Sequence, residues 1–223
     1  MNTPRPVPPV EMICVLPLLV LMVPLSIGPA VPAQAAPASA AAPVELMVYA
    51  AASLKDALDA IGPACGKGAG ATVLFNFGAS NDLAQQILAA NKADVFFSAD
   101  EGWMDRVAAK DLVDVASRRS LLSNRLAVVV PADSDLAIRD AADLAGSKVK
   151  HLSLANPDAV PAGRYAKAWL EKVGAWDGVK GKVAPAPDVR ATLAAVEAGA
   201  AEAGIVYLTD AAIGRRSKVA YTV

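Results

Sequence analysis

The sequence predicts an α/β fold with mainly parallel sheets. Short apolar stretches alternate with stretches of helical apolar spacing from residue 46 to the end. Ser, Asp or Pro stands where most of the helical stretches begin. Hydrophobic residues make up 55% of the 223-residue chain and charged residues 19%, which excludes a disordered polypeptide.

The elements follow in order. Leu46 to Ala50 is an apolar strand, and Ser53 is placed to cap a helix carrying Leu54, Ala57, Leu58 and Ile61. Thr72 to Phe77 is a second strand, and Ser80 precedes Leu83, Ala84, Ile87 and Leu88, again as a cap. Asp94 to Ser98 is a third strand, with Asp100 opening a helix through Trp103 and Val107. Arg125 to Val130 is a strand ended by Pro131. Asp140 to Leu144 is a short helix stopped by Gly146, and Val149 to Leu154 is a strand. Pro161 fits the first position of a helix that carries Tyr165, Trp169 and Leu170. Lys182 to Pro185, Gly204 to Tyr207 and Ser217 to Val223 are strands, and Asp188 begins a helix that runs to about Gly199.

Composition narrows the function classes. Lys and Arg number 21 against 22 Asp and Glu, so net charge is −1 and nothing suggests nucleic acid or a membrane surface as partner. Alanine fills over a fifth of the chain, which leaves core volume to Val, Leu and Ile. Arg5 precedes an uncharged run from Met12 to Ile27 that Pro17 and Pro24 interrupt, followed by Ala33-Gln34-Ala35 and Ala38-Ser39-Ala40 as small-x-small cleavage patterns. Residues 1–35 therefore read as a secretory signal peptide and 36–43 as an Ala/Pro linker. Cys14 leaves with the signal, so Cys65 is a lone thiol and no disulfide framework is expected.

In parallel α/β sheets, ligands sit beyond the carboxyl ends of strands, where helices begin. Helix starts carry unsatisfied N–H donors and roughly half a positive charge, so several aimed at one point bind an anion without Lys or Arg. The turns at 51–53, 78–81, 160–163 and 187–189 are the candidates. Ser53 and Ser80 add hydroxyls, and Tyr207, at a strand end, adds a phenol. Taken singly, each also has an ordinary reading, as a cap or as half-buried packing. The residues alone lead to an exported α/β protein with an anion site.

The words at these turns are more specific. Val48-Tyr49-Ala50-Ala51-Ala52-Ser53-Leu54, Phe77-Gly78-Ala79-Ser80-Asn81-Asp82-Leu83, Ala93-Asp94-Val95-Phe96-Phe97-Ser98-Ala99-Asp100, Val160-Pro161-Ala162-Gly163-Arg164, Pro187-Asp188-Val189-Arg190 and Gly204-Ile205-Val206-Tyr207 stand in an order and spacing that strongly resemble the periplasmic molybdate-binding proteins of molybdate ABC transporters. The resemblance spans about Val44 to Val223. It implies the two-domain periplasmic-binding-protein fold, with 44–126 and 206–223 as domain 1, 127–205 as domain 2, and the ligand between them. It further implies a non-enzymatic monomer in the periplasm that uses no cofactor, binds molybdate or tungstate and delivers it to a membrane permease. By motif, the binding positions are Ser53, Ser80, Ala162, Val189 and Tyr207: hydroxyls and amides from the serines, backbone amides from Ala162 and Val189, and a phenol from Tyr207. No residue would coordinate the metal directly.

Two departures from the family stand out. Its members usually continue past the position of Val223 with a further strand and helix. Asn81-Asp82 replaces the more common Ser, Thr or Gly, and Asp82 is expected to face solvent, since an acid turned towards a dianion would repel it.

Other readings remain open. The same fold could hold sulfate or phosphate. An exported hydrolase is the remote alternative, because Gly78-Ala79-Ser80-Asn81-Asp82 begins like a nucleophile elbow but lacks the closing glycine. His151 is the only histidine, Gly66-Lys67-Gly68 fails the phosphate-loop spacing, and one His with one mature Cys makes no metal cluster.

Overall fold

The computed structural model describes residues 44–223. The expected signal peptide and linker, 1–35 and 36–43, lie outside the described residues. The first part of the chain is β1 (Val44–Ala51), a 3-10 turn (Ala52–Leu54), α1 (Lys55–Ala69), β2 (Ala71–Gly78), α2 (Ser80–Ala90), β3 (Val95–Phe97) and α3 (Glu101–Ala108). After a 3-10 turn at Val115–Ser117 come β4 (Leu126–Pro131), α4 (Ala141–Ala145), β5 (Leu152–Ala155), α5 (Pro161–Lys172) and α6 (Trp176–Val179). A 3-10 turn (Lys180–Lys182), β6 (Val183–Ala186), α7 (Val189–Glu197), β7 (Ala203–Tyr207), α8 (Leu208–Ile213) and β8 (Ser217–Thr222) complete it.

Two sheets result. The first is fully parallel, in the order β2-β1-β3. The second has the order β6-β5-β7-β4-β8. In it β5 runs parallel to β6 and to β7, whereas β4 is antiparallel to both β7 and β8. The expectation of mainly parallel sheets thus holds, with β4 as the strand that opposes its neighbours.

Val206 and Tyr207 complete β7, and β8 bonds to β4 from Ser217↔Pro131 to Thr222↔Ala127. Backbone bonding therefore places the last strand in the five-stranded sheet. Assigning it by sequence requires knowing a long-range pairing that no local pattern encodes.

Packing differs between the sheets. Every residue of β5 and β7 and all of β4 but Pro131 are buried, the near-continuous apolar runs of central strands. They anchor a core that includes Leu144, Leu152, Leu154, Leu170, Val196 and Ile205, each fully buried. The three-stranded sheet is shielded less: β2 is only half-buried, and α1 buries just Gly62 and Gly66. A smaller cluster of Ala84, Ile87, Trp103 and Val107 joins α2 to α3. Among the described residues, no helix is long and apolar enough to cross a membrane.

Local chemistry explains the helix starts. Asp100, Asp140 and Asp188 cap α3, α4 and α7, accepting from the amides of Trp103, of Ala142 and Asp143, and of Ala191. Pro161 is the first residue of α5, where its missing N–H costs nothing. The two serines depart from expectation. Ser53 lies inside the 3-10 turn, and neither that turn nor α1 has a side-chain cap. Ser80 is the first residue of α2 rather than its cap, and its hydroxyl bonds outside the helix.

Candidate functional site

The sheets deliver the five candidate residues to strand ends. In the first sheet, Ala51 of β1 is in register with Gly78 of β2. Ser53 and Ser80 each stand two residues beyond that pair, so parallel pairing sets both serine turns at the same edge. In the second sheet, β6, β5 and β7 are adjacent and parallel. Their carboxyl ends lead to α7, α5 and α8, and so to Val189, Ala162 and Tyr207.

These positions are largely closed to solvent. Ser80 is 1% exposed, Ala162 2%, Val189 4% and Tyr207 6%, while Ser53 is half-buried. Ala162, Val189 and Tyr207 belong to the same buried cluster as Ala79, the residue before Ser80. Ser53 is linked to the Val189 turn by Arg190, whose Nη2 donates to the Ser53 carbonyl at 3.3 Å. Ser53 is thus tied to the Val189 turn, and Ala79, Ala162, Val189 and Tyr207 share one buried cluster. Gly163 makes the α5 end possible, because a Cβ there would meet the Ala155 carbonyl oxygen at 2.0 Å and that of Asn156 at 2.6 Å.

The hydroxyls are set up as donors. Ser80 Oγ accepts from the Ala99 amide at 2.9 Å, which leaves its proton free to point elsewhere. The buried Tyr207 hydroxyl has no hydrogen-bond partner among the described residues, an uncommon condition for such a group. Burial pushes its pKa up, and the neighbouring Tyr165, Asp210 and Asp100 add to the shift, so the phenol keeps its proton at neutral pH.

Charges lie close by but are already matched. Arg190, next to Val189, sits with Nε 2.8 Å from Oδ1 of the fully buried Asp210 and donates through Nη2 to Asp56 at 2.5 Å. Arg164, two residues after Ala162, donates to Asp100 at 2.7 Å. Asp82 is exposed, as expected, and takes a hydrogen bond from Asn81 Nδ2 at 2.6 Å. The roles of Arg164, Arg190 and Asp210 were not foreseen. The motif words contained Arg164 and Arg190, but pairing Arg190 with a carboxylate twenty positions on needs the fold.

Among the described residues, no His, Cys, Asp and Glu side chains are grouped to hold a metal ion. His151 is exposed and lies beside Glu202, and Ser80 Oγ accepts from the Ala99 amide. Two surface hollows lie elsewhere: one of about 310 Å³ lined by Leu136, Lys148 and Glu202, and one of about 320 Å³ by Gly62, Gly66 and Phe75. Neither includes any of the five positions.

Residues 46–222 match the family described as bacterial extracellular solute-binding protein. The chain is 43% identical over 185 residues to the molybdate-binding protein ModA of Escherichia coli, covering 80% of this chain and 71% of that one. It is 38% identical to ModA of Haemophilus influenzae, with 81% and 72% covered. The fold is similar to the periplasmic molybdate-binding protein of Azotobacter vinelandii, with a TM-score of 0.68, 25% identity and 78% of each chain covered.

Proposed function

The chain belongs to the bacterial extracellular solute-binding proteins, and from that premise we propose that it captures molybdate, and tungstate through the same contacts, for the permease of an ABC importer. It works by binding, not by catalysis. Residues 1–35 would export it to the periplasm, where it acts as a monomer.

One observation carries the reading to the ligand: the Tyr207 hydroxyl, at the carboxyl end of β7, is buried, keeps its proton and lacks a partner among the described residues. Such a group calls for a partner outside the described residues, and a bound anion would supply one. The other four positions would add donors: the backbone amides of Ala162 and Val189 at helix starts, and the hydroxyls and amides of Ser53 and Ser80. A fully deprotonated tetrahedral dianion offers only acceptors, so every group finds its complement. About seven hydrogen bonds to a charged acceptor, on the order of 1.5–3 kcal/mol each, leave micromolar affinity or better after the cost of association.

Selectivity follows from the donor set. Monohydrogen phosphate carries a proton that needs an acceptor, whereas the five positions offer donors; the Asp100 carboxylate is bonded by Arg164, and Asp210 lies 2.8 Å from Arg190 Nε. Phosphate would therefore leave a buried hydroxyl unpaired. Sulfate shares the charge of molybdate and must be rejected by size.

Titration calorimetry of the chain from residue 44 with molybdate, tungstate, sulfate and phosphate tests this. The expected result is tight binding of the first two and weak binding of the others. No heat with molybdate from folded protein, or an equal response to sulfate, would overturn the assignment.

A further inference from the structure

Arg164 and Arg190 stand in equivalent places. Each follows an amide-donating position on the five-stranded sheet: Arg164 two residues after Ala162, Arg190 one after Val189. Each reaches a carboxylate at a helix start of the other sheet's elements. Arg164 Nη1 bonds Asp100 Oδ2 at 2.7 Å, at the N-terminus of α3. Arg190 Nη2 bonds Asp56 Oδ2 at 2.5 Å, in the first turn of α1, and also the Ser53 carbonyl. The acids in turn lie next to the hydroxyl turns, Asp56 three residues after Ser53 and Asp100 directly after Ala99, whose amide bonds Ser80. Trp103 Nε1 adds a third crossing bond, to the Ala159 carbonyl at 3.0 Å.

We propose that Arg164 and Arg190 are positioning residues that latch the two sheets' turns together across the binding site, so that their ion pairs with Asp100 and Asp56 govern ligand release. The guanidinium groups nearest the anion do not hold it: their charge is met by carboxylates, and they act on the ligand only through the turns they join. The pairs are suited to the task. Asp100 is 5% exposed and Arg190 24%, so both are partly shielded from solvent, while Arg164 at 45% and Asp56 at 59% open at the rim; parting Arg164 from Asp100 costs the shielded carboxylate its counter-charge, which favours the closed pair. Arg190 itself stays neutralised by Asp210 when Asp56 is released. Electrostatic latches of this kind weaken with salt.

This inference rests on the proposed anion site, and its test has one arm with ligand and one without. Arg164→Gln and Asp56→Asn remove one latch each without touching the Arg190–Asp210 pair or any of the five binding positions. In stopped-flow with molybdate, each variant should release the anion about fivefold faster, and both together about 25-fold, because the pairs share no partner. The association rate should stay near that of the parent, and Arg164→Lys should restore part of the slow release. Without ligand, small-angle scattering should give a larger radius of gyration for the double variant than for the parent. Unchanged release rates in a parent that binds molybdate overturn the latch. An unchanged radius of gyration overturns it even if the parent binds no molybdate, the outcome that would sink the functional reading on its own.

Discussion

The Oγ of Ser80 accepts a hydrogen bond from the backbone amide of Ala99, 2.9 Å away. That bond ties the start of α2 to the segment after β3 and turns the serine proton away from both. A hydroxyl that accepts from the protein is left to donate to something else.

Replacing Ser80 with Ala should therefore weaken molybdate binding by about tenfold or more, the loss of one hydrogen bond to a charged acceptor. Calorimetry reads the affinity directly. An unchanged dissociation constant would reduce Ser80 to a brace for Ala99.

Tyr207→Phe separates binding from stability. The hydroxyl it deletes is buried and unpartnered among the described residues, so its removal relieves a desolvation cost. The ligand-free variant should melt at the same temperature as the parent or higher, yet bind molybdate about tenfold more weakly. A lower melting temperature with intact affinity would show that the phenol is structural.

Gly163→Ala should damage the site through the backbone. Its Cβ would fall 2.0 Å from the Ala155 carbonyl oxygen, so the start of α5 must move and carry the Ala162 amide with it. Overpacking of this kind costs about 1–3 kcal/mol. Thermal unfolding and molybdate titration should both register it, in contrast to Tyr207→Phe.

Asp210 should shape the pH dependence of stability. Burial pushes its carboxyl up to about 6 from the 3.8 of a free aspartate, against the pull of Arg190 and with help from Asp188 and Asp56. Between those values the folded protein holds a proton that the unfolded chain has lost, so this group makes stability fall as pH rises from about 4 to about 6, by up to about 3 kcal/mol. Glu197 and Glu202, held below the usual carboxylate range mainly by the amides of Arg216 and His151, act in the opposite sense, and their contribution is lost as pH falls below about 4.5. Denaturation of Asp210→Asn over pH 4 to 7 should lack the falling leg; a profile parallel to the parent's would refute the assignment.

Much of this molecule is legible in its sequence, for local reasons. The eight strands follow from apolar runs, and their observed bounds fall within a few residues of the pattern. Asp100, Asp140, Asp188 and Pro161 mark helix starts because capping needs only neighbouring amides. Ser53 and Ser80 also mark turns, but their side chains do not cap. Telling a capping hydroxyl from one turned outward requires knowing that Ala99 lies opposite Ser80. The short helices α6 and α8, without side-chain caps, gave no start signal. The register of β8 on β4 and the Arg190–Asp210 and Arg164–Asp100 pairs join residues far apart in sequence, and only the assembled sheets bring them together.

The paired register of Ala51 and Gly78 reaches beyond the fold. Because both serines stand two residues past a single rung of the β1–β2 ladder, main-chain pairing sets where both turns begin. Point substitutions can silence either hydroxyl but leave that pairing in place. Retuning this protein to a smaller or larger guest would call for inserting or deleting a residue in one of the two loops, or for a different angle of closure.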